Sequence, residues 1–192
     1  DISFTITPNC SILLKGPSGS GRSTLLRLIA GILEPDEGKI YVNNVDLKGI
    51  YLNEYRSYLG QSLTEEYPFE GTILDNITFG NKNIPMKDVY WAIEKTGLTQ
   101  FVKEQPNGLQ TMLYPEGKKI PYTISKKIVL ARSIVNRPKL LILKDPLDQF
   151  SEKEADQIME FLTDSSNGWA LVVVSENPKW VRLCNRTIAI EN

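Results

Sequence analysis

The chain has 192 residues, of which 41% are hydrophobic and 23% are charged, and its formal net charge at pH 7 is −1. This length suits one domain with a substantial buried core. The balanced charge argues against a broadly basic surface of the kind that binds nucleic acid, and no apolar run approaches the ~18 residues of a membrane-spanning helix. The two cysteines, Cys10 and Cys184, lie too far apart in sequence for a metal-binding pair, so free thiols are expected.

The first elements of the chain frame a glycine-rich segment. An alternating stretch at residues 2–6 predicts a strand, the apolar run at residues 12–14 predicts another, and residues 25–30 have the apolar density of a buried helix. Strand, glycine-rich loop and helix in this order are the context of a phosphate-binding loop, or Walker A motif. The predicted nucleotide-binding residues of this loop are Gly16, Pro17, Ser18, Gly19, Ser20, Gly21, Arg22, Ser23 and Thr24.

The chemistry of this loop follows from its residue types. Its glycines allow backbone N–H groups to curl around an anion, and the start of the following helix adds partial positive charge. Ser23 would offer its hydroxyl to Mg²⁺ if the metal is bound. Arg22 occupies the position of the usual lysine, so the charge is kept while a slim donor is replaced by a broad, planar one. The motif alone therefore does not show whether the Arg22 guanidinium can contact the β- and γ-phosphates.

The middle of the chain alternates short strands and helices. Three stretches predict strands, the first two as a hairpin, at residues 39–42, 45–47 and 58–63. Thr72 is the expected N-cap of a short helix that ends at Gly80. A second helix is expected to begin at Pro85 and to end at Gly97.

The second half of the chain has the pattern of a parallel βαβ unit. Two short, wholly apolar runs, at residues 140–143 and 170–174, are typical of strands that are buried on both faces of a parallel sheet. An amphipathic helix is expected between them at residues 152–162, and a helix packed on the core is expected at residues 125–136, ended by Pro138. These patterns predict an α/β fold with a mainly parallel core sheet.

The order of these motifs resembles the nucleotide-binding domain of an ATP-binding cassette (ABC) transporter, most closely the exporter type. The resemblance covers nearly the whole chain and is carried by the phosphate loop, LIAG at 28–31, EPDEG at 34–38, FEGTILDNI at 69–77, ARS at 131–133 and VVVS at 172–175. It implies a P-loop NTPase fold with an N-terminal antiparallel β arm and a helical subdomain inserted at about residues 72–126. Residues 1–192 would then form a single such domain, a fragment of a longer transporter chain.

The resemblance also implies roles for individual positions, and several of these positions carry altered residues. The family's LSGGQ signature falls on residues 120–124, where both glycines and the serine are absent. Lys144 takes the position of the aspartate that holds Mg²⁺ through water, and Asp145 that of the glutamate that polarises the attacking water. Glu176 replaces the histidine that contacts the γ-phosphate, and Thr64 replaces the glutamine that contacts the metal.

These departures predict impaired ATP hydrolysis, because phosphoryl transfer depends on a metal, a cationic donor and an oriented water. Nucleotide binding is a separate question, since the glycine scaffold is retained. Arg22 and Lys144 could together hold a triphosphate without metal, so ATP is the expected cofactor and the need for Mg²⁺ stays open. In the alternative interpretation, Lys144 pairs with Asp145 or Glu176 and the pocket stays empty.

Three functions are compatible with these residues. The preferred one is an ATP-binding domain that couples nucleotide binding, with weak or absent hydrolysis, to transmembrane export. The second is an active ATPase in which Asp145 or Glu176, the candidate catalytic residues, orients the water. The third is an interaction or scaffold module that binds no nucleotide and docks on a membrane partner.

The resemblance implies the partners and the location of the chain. The expected partners are the transmembrane domain of a transporter and a second nucleotide-binding domain, in a homo- or heterodimer, and no nucleic acid. The domain itself is expected to be soluble and to lie at the cytoplasmic face of a cell membrane. The transported substrate and the direction of transport do not follow from these residues.

Overall fold

The computed structural model describes residues 2–63 and 66–191. These residues form two compact units. The first comprises residues 2–63, 138–145 and 165–191, and the second comprises residues 66–137 and 146–164. The helical subdomain expected at residues 72–126 falls inside the second unit, and its boundaries stay a prediction.

A five-stranded parallel sheet forms the centre of the first unit. Its strands are β1 (Ser11–Lys15), β4 (Leu59–Ser62), β7 (Leu140–Lys144), β8 (Ala170–Val174) and β9 (Arg186–Ala189). They lie in the order β4-β7-β8-β1-β9, and every neighbouring pair is parallel. The carboxyl ends of all five strands therefore meet at one edge of the sheet, the edge at which α/β folds place their ligands.

Apolar runs form these central strands because both faces of the sheet are covered. Every residue of β8 is buried, and so are the first four residues of β1. Helix α1 (Arg22–Ile29) adds Leu26 and Ile29 to the core. The buried residues of this core are Ile12, Leu14, Leu26, Ile29, Ala30, Leu63, Ile142, Val172, Val174 and Ile190. The predicted parallel core sheet is confirmed.

The predicted hairpin is also present in the first unit. Strand β2 (Tyr41–Val42) pairs antiparallel with β3 (Val45–Asp46). The two residues between them, Asn43 and Asn44, have φ angles of 48° and 66°. Positive φ at both central residues is what a type I′ hairpin turn requires, and asparagine tolerates it well. Helices α2 (Leu52–Ser57) and α8 (Trp180–Leu183) complete this unit.

The strand predicted at residues 2–6 is wrong. These residues are described without regular secondary structure, although their burial alternates as in a strand. Phe4 and Ile6 pack against the core of the sheet, and the Arg186 guanidinium donates to the carbonyl of Thr5. The alternating pattern therefore reports how the side chains are buried. It does not create a strand, because no ladder of hydrogen bonds joins the segment to another described strand.

The second unit is mainly helical. Its helices are α3 (Ile73–Thr78), α4 (Met86–Lys95), α5 (Thr99–Glu104), α6 (Tyr122–Ile134) and α7 (Glu152–Thr163). Both α3 and α4 pack on α6. A short antiparallel pair, β5 (Gly71–Thr72) and β6 (Met112–Leu113), lies beside them.

Local signals mark the starts of these helices, as predicted for α3 and α4. The Thr72 hydroxyl accepts from the N–H of Asp75 and the Asp75 carboxylate accepts from the N–H of Thr72, which is a capping box. The Thr72 hydroxyl also donates to the Asp75 carboxylate, and this bond, followed by the one from the Thr72 N–H, lowers the pKa of Asp75. Pro85 precedes α4, and the N-cap of α6 is Pro121, so α6 begins three residues before the predicted start at residue 125.

Both cysteines are free, as predicted. Burial raises the pKa of the Cys184 thiol to about 11. The thiol is therefore protonated at neutral pH.

Candidate functional site

The predicted phosphate loop connects β1 to α1 at the carboxyl edge of the sheet. Residues 16–21 form the loop, and Arg22, Ser23 and Thr24 form the first turn of α1. Gly19 and Gly21 have φ angles of 85° and 88°, a left-handed conformation that other residues rarely adopt. No atom lies within 4 Å of the point where a Cβ would stand at either glycine. The space beside the Cα atoms of these two glycines is therefore empty.

The polar groups of the loop are suited to hold an anion. The first turn of α1 contains no acidic side chain, and no side chain caps its N-terminus. Within the described chain, no acceptor pairs with the N–H of Gly19 or Gly21, and the buried hydroxyl of Ser20 has no hydrogen-bond partner. Unpaired donors at the start of a helix are what a phosphate group satisfies. The loop residues thus fit the phosphates of a nucleotide.

Helix α1 is anchored at its far end. The Tyr55 hydroxyl donates to the carbonyl of Ile29 over 2.6 Å, and the Arg56 guanidinium donates to the carbonyl of Gly31 over 2.6 Å. Burial raises the pKa of Tyr55 to about 12. These bonds satisfy carbonyls that the helix end leaves without partners, and they hold the helix that carries Arg22.

Arg22 and Glu176 form an ion pair at this edge. The guanidinium Nη1 of Arg22 lies 2.5 Å from Oε1 of Glu176. The Arg22 side chain is 13% exposed and that of Glu176 is 77% exposed. The sequence analysis named Arg22 and Glu176 as separate candidate site residues, and the structure places their side chains in contact. The only sequence signal was the glutamate at position 176, whose charge is opposite to the one that Arg22 keeps, and it did not fix which cation Glu176 would pair with.

A hydrogen-bonded turn holds the backbone of Glu176 beyond the end of β8. The N–H of Asn177 donates to the Ser175 hydroxyl, and the N–H of Lys179 donates to the side-chain carbonyl of Asn177. Trp180, which is fully buried, follows directly. Glu176 therefore projects from an ordered turn of the first unit.

Lys144 and Asp145 lie at the end of the neighbouring strand. Lys144 is the last residue of β7 and is in register with Val174 of β8. Asp145 has a φ angle of 42°, and its N–H donates to the carbonyl of Val174 over 2.8 Å. Among residues 2–63 and 66–191, no carboxylate forms an ion pair with Lys144. Glu176, one of the two partners considered for Lys144, pairs with Arg22 instead.

At the end of β7, this edge carries a cation where a divalent metal ion would favour an oxygen ligand. Mg²⁺ takes near-octahedral oxygen ligands and is bound through carboxylates in most proteins. Here the Ser23 hydroxyl is the predicted metal ligand, whereas β7 ends in the cation of Lys144. The described residues contain no group of three or more His, Cys, Asp or Glu that could hold a metal ion. The metal contact of Ser23 stays a prediction, and Thr64 lies outside the described residues.

The residues that replace the signature motif lie in the second unit, at the start of α6. Pro121 is the N-cap and Tyr122 is the first helical residue. The Tyr122 hydroxyl lies 3.4 Å from Oδ2 of Asp148, and the ammonium of Lys126 lies 5.5 Å from the centre of the Tyr122 ring. An aromatic side chain therefore stands where the family's motif has a glycine.

The second unit also carries an exposed aromatic cluster that the sequence did not reveal. Phe79 follows α3 with a φ angle of 54° and is 69% exposed. The Arg132 guanidinium lies 4.9 Å from the centre of the Phe79 ring and 5.4 Å from that of Phe69. Burial lowers the pKa of Arg132, and the charge of Glu66 opposes this shift. An aromatic residue directly after a helix end was the only signal in the sequence.

No helix among the described residues has the length and apolar character needed to cross a membrane. Residues 1–148 match the model of a protein family described as ABC transporter.

Curated relatives extend the match over the full chain. The chain is 26% identical over 192 residues to an uncharacterized ABC transporter ATP-binding protein, YwjA, of Bacillus subtilis, covering 100% of the chain and 33% of that protein. It is 28% identical over 195 residues to ABC transporter B family member 13 of Arabidopsis thaliana, covering 100% of the chain and 15% of that protein. The chain thus spans a third or less of these relatives.

A solved structure has the same fold. It is the structure of a bacterial Atm1-family ABC exporter with ATP bound, which matches with a TM-score of 0.89 at 21% identity. The match covers 98% of this chain and 33% of the exporter chain.

Proposed function

The chain belongs to the ABC transporter family, and we propose that it is an ATP-binding domain of exporter type that binds nucleotide through its phosphate loop without Mg²⁺ and hydrolyses it slowly or not at all. Nucleotide binding would then be coupled to transmembrane export in a longer transporter chain. The observation that carries this proposal is the set of unpaired donors in the phosphate loop, at the same edge of the sheet as a lysine that has no ion-pair partner within the described chain.

Lys144 supports binding without metal through its position on the sheet. In the strand order β7-β8-β1, Lys144 ends the strand two places from the one that leads into the phosphate loop. Neighbouring strands lie about 4.8 Å apart, so the two strand ends are separated by about 10 Å. A lysine side chain can cover most of this distance. Its ammonium would supply positive charge toward the phosphates, whose N–H donors come from the loop.

The positions and lengths of the candidate catalytic carboxylates favour weak hydrolysis. A general base must reach the attacking water with a free carboxylate. Glu176 stands at the position of a histidine that contacts the γ-phosphate rather than at that of the family's base, and Asp145 is one methylene shorter than the glutamate of the family's motif. Each lost contact to a phosphoryl-transfer transition state often costs about 2.7–4 kcal/mol, or 10²–10³ in rate. Asp145 and Glu176 as catalytic residues stay the alternative.

Two partners complete the proposal. A second nucleotide-binding domain would face the start of α6, where Pro121 and Tyr122 replace residues that offer backbone donors. The transmembrane domain would dock at the cytoplasmic face of a membrane, and the exposed Phe79 ring, held by Arg132, is a candidate contact for it because large exposed aromatic side chains are enriched at interfaces. A scaffold that binds no nucleotide is the alternative to this function.

Substitution of Lys144 tests the metal-free site. The variant Lys144→Gln removes the cation and keeps the length of the side chain, so we expect ATP affinity in EDTA to fall about tenfold, which corresponds to about 1.4 kcal/mol. Lys139→Gln is the matched control, because it removes an exposed lysine that directly precedes the same strand at the opposite end. Equal affinities for both variants would contradict the role of Lys144.

Phosphate release at saturating ATP and Mg²⁺ tests the hydrolysis part of the proposal. Slow or absent release is expected from the purified chain. Release at rates typical of enzymes, with a loss in Asp145→Asn or Glu176→Gln, would instead identify an active ATPase. No binding of ATP under any condition would identify the scaffold.

A further inference from the structure

The ion pair between Arg22 and Glu176 has a consequence for nucleotide binding. We propose that Glu176 is an internal competitor for phosphate: its carboxylate engages Arg22 in the nucleotide-free protein and has to be displaced before Arg22 can contact a bound nucleotide. Glu176 would therefore set the threshold concentration at which the loop takes up ATP. The proposal rests on the proposed function, since it concerns the same phosphate loop.

Competition follows from the chemistry of the two acceptors. A guanidinium donates to carboxylate oxygens and to phosphate oxygens through the same N–H groups and with similar geometry. Arg22 directly follows Gly21, whose N–H has no acceptor in the described chain. A phosphate held by the loop would thus lie beside the guanidinium that Glu176 now engages. Its own negative charge would also repel the carboxylate.

The difference in exposure makes the contact reversible. The Arg22 side chain is largely buried at 13% exposure, whereas the Glu176 side chain is 77% exposed. A displaced Glu176 carboxylate can be hydrated at once, while Arg22 needs an anionic partner where it lies. When nucleotide binds, the Glu176 side chain therefore moves into solvent, while the Arg22 guanidinium stays in the site.

The backbone of Glu176 is suited to this role. The turn built by Ser175 and Asn177, with buried Trp180 behind it, fixes the Cα position. Only the side chain has to rotate for the ion pair to open. No refolding of the site is needed, so the competition costs affinity without blocking entry of the nucleotide.

Calorimetric titration of the 192-residue chain with ATP in EDTA tests the proposal. We expect Glu176→Gln to tighten ATP binding about fivefold or more, as for the loss of a competing ion pair of about 1 kcal/mol. Glu191→Gln is the matched control. It removes an exposed carboxylate at the same edge of the sheet, just after β9, which forms no ion pair with the described residues. The control corrects for the general loss of one negative charge.

A double-mutant cycle separates competition for Arg22 from a structural effect. In an Arg22→Gln background, Glu176→Gln should improve ATP affinity no more than Glu191→Gln does. The thermal unfolding midpoint of Arg22→Gln should also be the same with and without Glu176→Gln. Equal gains from Glu176→Gln in both backgrounds would overturn the proposal. So would equal gains from Glu176→Gln and Glu191→Gln in the wild type.

The outcomes also separate this proposal from the function on which it rests. Binding by Glu176→Gln with none by the wild type would support the competitor and contradict nucleotide binding by the natural chain. Equal binding by both would overturn the competitor and leave the proposed function standing. Absence of binding in both would overturn the two together.

Discussion

At the scale of single residues, Asn76 shows how one buried amide organises the second unit. Its side chain is fully buried, accepts from the N–H of Phe69, and donates to the carbonyls of Phe69 and Thr72. The Arg132 guanidinium donates both to its side-chain oxygen and to its backbone carbonyl. Asn76 therefore fixes the segment before α3 and the arginine beside Phe79 at the same time.

We predict that Asn76→Ala lowers the free energy of unfolding by about 2–4 kcal/mol, because several buried polar groups lose their partners. Urea denaturation measures this change. The control Asn83→Ala, which changes an exposed amide in the same unit, should stay within about 0.5 kcal/mol of the wild type. A loss below about 1 kcal/mol for Asn76→Ala would show that water or relaxation replaces the bonds.

Single positions of the candidate site were predictable from sequence to different degrees. The loop glycines could be identified because strand, loop and helix follow one another within a short segment. The pairing of Arg22 with Glu176 could not, because their separation of 154 residues is closed only by the order of strands in the sheet. For the same reason, the sequence left open whether Lys144 would pair with Asp145 or Glu176, and it did not suggest Arg22 as a partner of Glu176.

At the scale of elements, an ion pair between a buried lysine and a half-exposed glutamate joins two helices of the second unit. Lys127 of α6 lies 2.7 Å from Glu154 of α7, and its side chain is 8% exposed. The hydrogen bond from Lys127, followed by that from Ser151, lowers the pKa of Glu154. A carboxylate with a lowered pKa in the folded state stabilises the protein above its unfolded pKa, and this contribution is lost as the pH falls through the folded pKa.

We therefore predict that Glu154→Gln costs about 1 kcal/mol at pH 7, a modest value because solvent screens the half-exposed carboxylate. The difference from the wild type should shrink as the pH falls below the ordinary glutamate pKa of about 4.3 and through the lowered one. Urea denaturation at stepwise lower pH measures it. Glu160→Gln, an exposed change on the same helix, should show a smaller difference at every pH. A difference in the free energy of unfolding between the wild type and Glu154→Gln that stays constant down to acid pH would contradict this pH dependence.

A helix or strand could be predicted from the sequence wherever a local residue pattern marks its boundary. Thr72 and Pro85 adjoin the starts of α3 and α4, and the two apolar runs are β7 and β8. The start of α6 was predicted at residue 125, whereas the helix begins at Tyr122, directly after Pro121. Residues 2–6 were not predictable, because period-two burial arises in any extended segment that packs on a core. A strand also needs a neighbour with free donors and acceptors, and no window of sequence contains that information.

At the scale of the whole molecule, the order of elements and the altered catalytic positions support different conclusions, one about the fold and one about the function. The order of motifs led to the family by resemblance, whereas the parallel sheet follows from the order of elements, because such a sheet can be assembled in few ways. Function does not follow from the fold in the same way. The unpaired donors of the glycine loop argue for a retained binding site, while the changes at Lys144, Asp145 and Glu176 argue against ordinary turnover. The central claim is therefore binding without metal.

The most direct measurement of this claim is calorimetric titration of the purified chain with ATP, once with Mg²⁺ and once with EDTA, beside the variant Arg22→Ala. We predict similar affinities in the two conditions and a loss of about tenfold or more in the variant, since Arg22 is the cation of the loop. Tight binding that requires Mg²⁺ would contradict the role given to Lys144. Absence of heat at millimolar ATP in both conditions would contradict the claim altogether.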